Sequence, residues 1–205
     1  MRPILAIISI CLLAACAEWG TLSQKDLLPD TTMERVKSAA SQSPVTAQQR
    51  ETFGVLADFA GRTFRGTAQG ADADSVVADI QLWVWGEDGR ELLIKHALED
   101  GSYGGNTVIF KDPASGKLSY TYQTNAGFST LGEFTLEDDG SWEAVEEVSG
   151  DSDITKVRSR GHVREDGALV SASEYLTAGE WEAGHSFIYR EVWQDLPALK
   201  TPVPE

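Results

Sequence analysis

Four Asp-Gly pairs punctuate this chain, at Asp88-Gly89, Asp100-Gly101, Asp139-Gly140 and Asp166-Gly167, each between runs of β-branched and aromatic residues. Asp-Gly supplies the positive backbone angles that tight hairpin turns demand, so each pair marks a strand turning back on its neighbour. DPASG at 112–116 and TAG at 177–179 do the same. The runs are RTFRGTA, VVADIQLWVW, ELLIKHAL, NTVIFK, LSYTYQT, FSTLGEFTL, SWEAVEEV, ITKVRSRGHV, LVSASEYL and HSFIYREVW, ten candidate strands after Gly61 with short connections throughout. Successive strands joined this tightly are antiparallel neighbours. An open meander of that size leaves two edges free to pair with other chains, and closing it into a barrel removes both. The alternative, a two-sheet sandwich, needs longer Greek-key crossovers, and no long connection follows Gly61. The expected fold is all-β: a ten-stranded antiparallel up-and-down barrel preceded by a short helix. That helix is read from QQRETFGVLADFAGR, where Phe53, Leu56 and Phe59 recur at helical spacing before the stop signal Gly61.

The N-terminus has a different grammar. Ile4 to Ala15 is a run of twelve residues interrupted only by Ser9. A membrane-spanning helix needs about 20, so the run is too short to cross and instead fits a secretory signal over residues 1–15. Its end, Leu13-Ala14-Ala15-Cys16, resembles the lipobox of bacterial lipoproteins. That resemblance implies a diacylglycerol on Cys16, an anchor on a membrane surface rather than a span. Ala17 follows, not the Asp associated with inner-membrane retention, so by analogy the outer membrane facing the periplasm is expected. The chain has two cysteines, Cys11 in the discarded run and Cys16 at the lipid, which leaves the mature domain without thiol chemistry.

Residues 16–48 are polar, carry Pro29 and Pro44, and read as a flexible tether with a short helix around Thr32–Ala39. The barrel with its leading helix is assigned to 49–195 and a C-terminal tail to 196–205. A net charge of −15 repels phosphate backbones, so nucleic acid is not an expected partner.

The order FAGRTFRGTAQG, QLWVWGEDGRELL and GSYGGNTVIFKDPASGKLSYTYQTNAGF resembles the lipocalin-like, calycin-like domains of the DUF1579 type over residues 58–193. One departure is Phe64, where related barrels often carry Trp. The resemblance implies a ten-stranded barrel that binds small molecules inside, without an established reaction.

Strand alternation selects the candidate lining, because a barrel strand shows one face to the interior. Tyr120 and Tyr122 share a face with Leu118; His96 shares one with Leu92, Ile94 and Leu98; and His185, Phe187 and Tyr189 share one with Glu191 and Trp193. Apolar and aromatic walls with a few convergent polar tips describe a small-molecule site, so His96, Tyr120, Tyr122, His185, Phe187 and Tyr189 are the ligand-binding candidates. The same rings would equally fill a solid core. Nitrobindin-like barrels, of related architecture, bind haem through one histidine, and by that resemblance His185 is the haem candidate; otherwise no cofactor is expected. The histidines lack close metal spacing, and no Gly-x-Ser-x-Gly is present. Glu146-Glu147, Asp138-Asp139 and Asp151/Asp153 read as solvated acids, and Arg190 as the partner of an exterior carboxylate. The expected function is non-catalytic binding of a small apolar or amphipathic ligand by an envelope lipoprotein. The alternative from another class is a structural or interaction protein of the envelope with a filled barrel.

Overall fold

Residues 44–70, 76–150 and 152–200 are described by the structure, a computed structural model. The signal segment, Cys16, the helix expected around Thr32–Ala39 and the last five residues of the tail lie outside the described residues. Ten strands form where β-branched and aromatic runs alternate with turns: β1 Arg62–Ala68, β2 Asp79–Trp85, β3 Glu91–Leu98, β4 Gly104–Lys111 and β5 Leu118–Thr124, then β6 Phe128–Leu136, β7 Trp142–Gly150, β8 Ile154–Val163, β9 Leu169–Thr177 and β10 Glu180–Val192. Each strand pairs antiparallel with the next, and β1 pairs with β10, so the sheet is a closed up-and-down barrel without a free edge. All four Asp-Gly glycines have positive φ, between 70° and 81°.

One end of the barrel is stoppered by the leading helix. Helix α1, Ala47–Phe53, starts with a capping box in which Thr46 and Gln49 satisfy each other's backbone N–H groups. It is shorter than the spacing of Phe53, Leu56 and Phe59 suggests. Gly54 takes φ 52° and ψ −133°, which breaks the helix, and Gly54–Phe59 continues as a 3₁₀ turn. The three apolar side chains still reach one place and pack with Phe64, Trp83 and Leu92. Phe53, Leu56 and Phe59 are each at most 2 % exposed. Burial of each contributes about 1.5–3 kcal/mol.

Strand β10 begins at Glu180, ahead of the run HSFIYREVW read from the sequence, and runs through Gly184. The glycine marks a bulge, where the register with β9 shifts between Ala183 and Ser186. After β10 the chain returns along the outside to the opposite end. There the Lys200 N–H donates to the Gly101 carbonyl at 2.8 Å, and Leu199 lies over Gly104.

Glycines in mid-strand organise the interior. Gly66 in β1 has Tyr189 directly opposite on one side and Asp79 directly opposite on the other. Gly132 in β6 stands between Tyr120 and Glu146 in the same way. Gly105 in β4 faces His96, and the ring of Tyr122 in β5 lies against it. A Cβ at these glycines would come within 2.3 Å of Tyr189 Cε1, 2.6 Å of Tyr120 Cζ and 2.6 Å of Tyr122 Cε2. Real Cβ atoms do not approach that closely. Each glycine therefore lets a tyrosine lie flat across its strand and reach an ionisable group on the strand beyond.

Candidate functional site

Register fixes which side chains face inward together, because directly opposed residues share a face of the sheet. At the helix end the inward positions are apolar: Phe64, Leu92, Ile109, Ala144 and Leu169 are at most 3 % exposed, and Trp85, Phe134, Leu136 and Trp142 pack partly buried around them. Toward the far end the same faces turn polar. Gln81 stands opposite His96, Tyr122 opposite Thr130, Glu146 opposite Val157, and Ser159 opposite Ser173. Gln81, His96, Tyr122, Glu146, Ser159, Ser173 and Tyr175 are half-buried although they point inward.

A continuous hydrogen-bond chain runs through this half. Tyr103, in the β3–β4 turn, has its hydroxyl 2.6 Å from that of Tyr122; Tyr122 lies 2.7 Å from His96 Nε2; and His96 Nδ1 lies 2.9 Å from Asp79 Oδ1. Asp79 Oδ2 accepts from the Tyr189 hydroxyl and from Gln81 Nε2, both at 3.0 Å, and Gln81 Oε1 accepts from Trp83 Nε1 at 3.2 Å. Asp79 and His96 side chains are only 8 % and 14 % exposed, and a carboxylate this deep is held by its three donors. With Nδ1–H directed at Asp79, Nε2 accepts from Tyr122 and Tyr122 accepts from Tyr103, giving the chain one polarity from phenol to carboxylate. A proton taken up at Nε2 reverses the two outer bonds. Burial pushes the Tyr103 hydroxyl up to about 12 and holds those of Tyr122 and Tyr189 well above their ordinary value, so these phenols are neutral donors.

The second polar group is Glu146. It accepts a short hydrogen bond from the Thr130 hydroxyl and one from Tyr120. Partial burial raises its pKa against the opposing effect of those two bonds. Glu146 therefore departs from the solvated pair expected from the sequence. Its neighbour Glu147 faces outward and binds Lys156 at 2.5 Å, while Glu146 faces inward, the alternation of a strand separating two adjacent acids. Asp139 does behave as a turn residue, accepting from Ser141.

The six candidates of the sequence are all on inward strand positions but do not form one group. His96, Tyr122 and Tyr189 belong to the Asp79 chain, and Tyr120 to Glu146. Phe187 packs on Tyr189 with ring centroids 5.7 Å apart. His185 sits in the bulge at the far rim, exposed, its ring edge-on to Tyr175 and Phe187. Both ring nitrogens of His96 are engaged. Arg190 pairs with Asp166 at 3.0 Å on the exterior. Trp193, on the parity of Tyr189, has left the barrel and is 97 % exposed.

Sequence reasoning missed Asp79, Tyr103, Thr130 and Glu146. Asp79 was visible as an acid on the same alternation as Gln81, Trp83 and Trp85, and Glu146 as one alternating with Ala144 and Val148. Tyr103 lies in a turn, where alternation says nothing. In comparisons with known proteins, no family model and no curated protein matches the chain.

Proposed function

We propose that this chain is an envelope lipoprotein, anchored through Cys16, whose barrel holds a small amphipathic molecule in its far half. One observation carries the binding reading. Seven inward polar side chains of the far half, Gln81, His96, Tyr122, Glu146, Ser159, Ser173 and Tyr175, remain half-buried, whereas the apolar layer of Phe64, Leu92, Ile109, Ala144 and Leu169 toward the helix end is sealed. A barrel filled along its whole length would seal both. Half-buried aromatic rings beside fixed hydrogen-bonding groups match the composition of small-molecule sites. The lipocalin-like layout over residues 58–193 and the lipobox-like Leu13–Cys16 support the same reading.

An uncharged fluorescent probe, N-phenyl-1-naphthylamine, tests it. Saturable binding is expected, and Ser159→Phe, which places a ring in the interior beside Ser173, should weaken it at least tenfold. Absence of saturable binding overturns the ligand reading and leaves the interaction role. Native mass spectrometry of protein extracted from its own host would identify the occupant, haem included. For the anchor, Cys16→Ala should remove the lipid mass and release the protein from the membrane fraction; unchanged fractionation would refute it.

A further inference from the structure

The interior has a charge pattern as well as a shape. Every lysine and arginine in the described strands is either on an outward position or at the helix end. Arg158 and Arg160 bind Glu174 outside, Arg65 binds Glu99, and Arg62 binds Glu191 at the helix-end lip. Two carboxyl groups that are buried or half-buried face inward in the far half, Glu180 and Glu182 of the same face being exposed at the rim, and these two are not equivalent. Asp79 has three donors, and one of them, the His96 imidazole, is a group able to carry positive charge. Glu146 has two hydroxyl donors, Thr130 and Tyr120, and among the described residues it forms no ion pair. A half-buried carboxylate with hydroxyl partners only lacks the counter-charge that normally accompanies removal from water.

Glu146 also faces a shared space rather than a private niche. Glu146 and Tyr175 both stand opposite Val157 on the inward face, and the Glu146 charge reaches Tyr103 of the β3–β4 turn and Tyr122 of β5. Tyr103 and Tyr122 also pack around Phe128, 6.5 and 6.4 Å between ring centroids. Electron-rich rings attract a desolvated ammonium, and a carboxylate adds a directed hydrogen-bond acceptor.

We infer that the ligand is an organic ammonium with an apolar body, its cationic nitrogen paired with the Glu146 carboxylate among the tyrosines and its body against Phe128 and the neighbouring rings. This rests on the ligand-binding reading above and narrows it. The negative charge of the whole chain favours entry of such a cation. Elevation of the Glu146 pKa by burial fits a carboxyl placed for a counter-ion, and pairing with ammonium would release any proton it holds.

The test compares three probes of one shape, 2-phenylethylammonium, 2-phenylethanol and 3-phenylpropionate, by calorimetry on the full-length protein. The ammonium should bind at least tenfold more tightly than the alcohol, and the carboxylate most weakly. Glu146→Gln should bring ammonium and alcohol within about twofold, a loss of about 1 of the roughly 1.4 kcal/mol that a tenfold preference represents. Glu146→Asp, which keeps the charge, should retain the order of the probes, so the comparison survives if the Gln variant fails to fold. Equal or tighter binding of the alcohol or the carboxylate by wild type overturns the inference, as does a preference that persists in Glu146→Gln. Failure of this inference is separable from failure of the general one. If N-phenyl-1-naphthylamine binds and the ammonium shows no preference, only the ammonium inference falls; if neither binds, both fall.

Discussion

Replacing Gly66 with alanine adds one methyl group to the barrel and should cost far more than a methyl group normally does. Gly66 has no positive φ, so alanine meets no backbone strain there. The obstacle is Tyr189. The new Cβ would stand 2.3 Å from Cε1, 2.7 Å from Cδ1 and 2.8 Å from Cζ of that ring. The ring has little room to yield, being 6 % exposed and fixed at its tip by the 3.0 Å bond to Asp79. Overpacking of this kind costs about 1–3 kcal/mol, and loss of a hydrogen bond to a carboxylate about 1.5–3. Removing a glycine from a strand returns about 0.5–1 kcal/mol. The net loss is about 2–5 kcal/mol, or a fall in Tm of roughly 5–15 °C for a domain of this size. Urea denaturation and thermal melting followed by circular dichroism measure it. The Gly66→Ala/Tyr189→Leu double variant isolates the cause: with the ring gone, the alanine should be nearly neutral, and the coupling should exceed about 1 kcal/mol. Stability of Gly66→Ala within about 0.5 kcal/mol of wild type, or strict additivity in the double variant, refutes the argument.

Three further outcomes are expected. Asp79→Ala leaves His96 Nδ1, Gln81 Nε2 and the Tyr189 hydroxyl without their common acceptor, and should lower stability by about 2–4 kcal/mol in urea; a loss under about 1 kcal/mol would show the chain to be incidental. Glu146 has its folded pKa raised above the ordinary 4.5, so its contribution is present below that value and is lost as pH rises through the folded pKa. Glu146→Gln should therefore gain on wild type as pH rises from about 4.5 through the folded pKa, read as a growing difference in urea midpoint; a flat or shrinking difference contradicts it. Truncation after Trp193 removes the Lys200–Gly101 bond and the Leu199 cover of Gly104, and should speed amide exchange across residues 99–104 by at least tenfold while leaving α1 protected. Unchanged exchange in that turn would show that the tail holds nothing.

The barrel was legible because its determinants are local. Asp-Gly turns and period-2 runs specify hairpins one at a time, and closure follows from the need to remove edges. The site was half legible. Alternation put His96, Tyr122 and Tyr189 on inward faces but did not say at what height each would sit, which depends on register and stagger around the whole barrel. Glu146 was misread because two adjacent acids look alike in a sequence and face opposite ways on a strand. The use of Gly66, Gly105 and Gly132 is visible only when the partner ring is known, since the information lies in strands distant along the chain.

The same arrangement bears on the order in which the molecule can be made. Tyr189 crosses β1 at Gly66 to reach Asp79, a residue 110 positions earlier, so one side chain of the last strand clasps the first two. Until that strand is present, nine strands of meander carry an unpaired edge at each end, and the longest loop closure in the molecule is still ahead. A chain interrupted before Tyr189 holds nearly all of its hairpins yet lacks the clasp. Completion of the barrel is thus a property of the final strand, which makes its arrival a natural checkpoint between a sticky, protease-sensitive precursor and the finished protein.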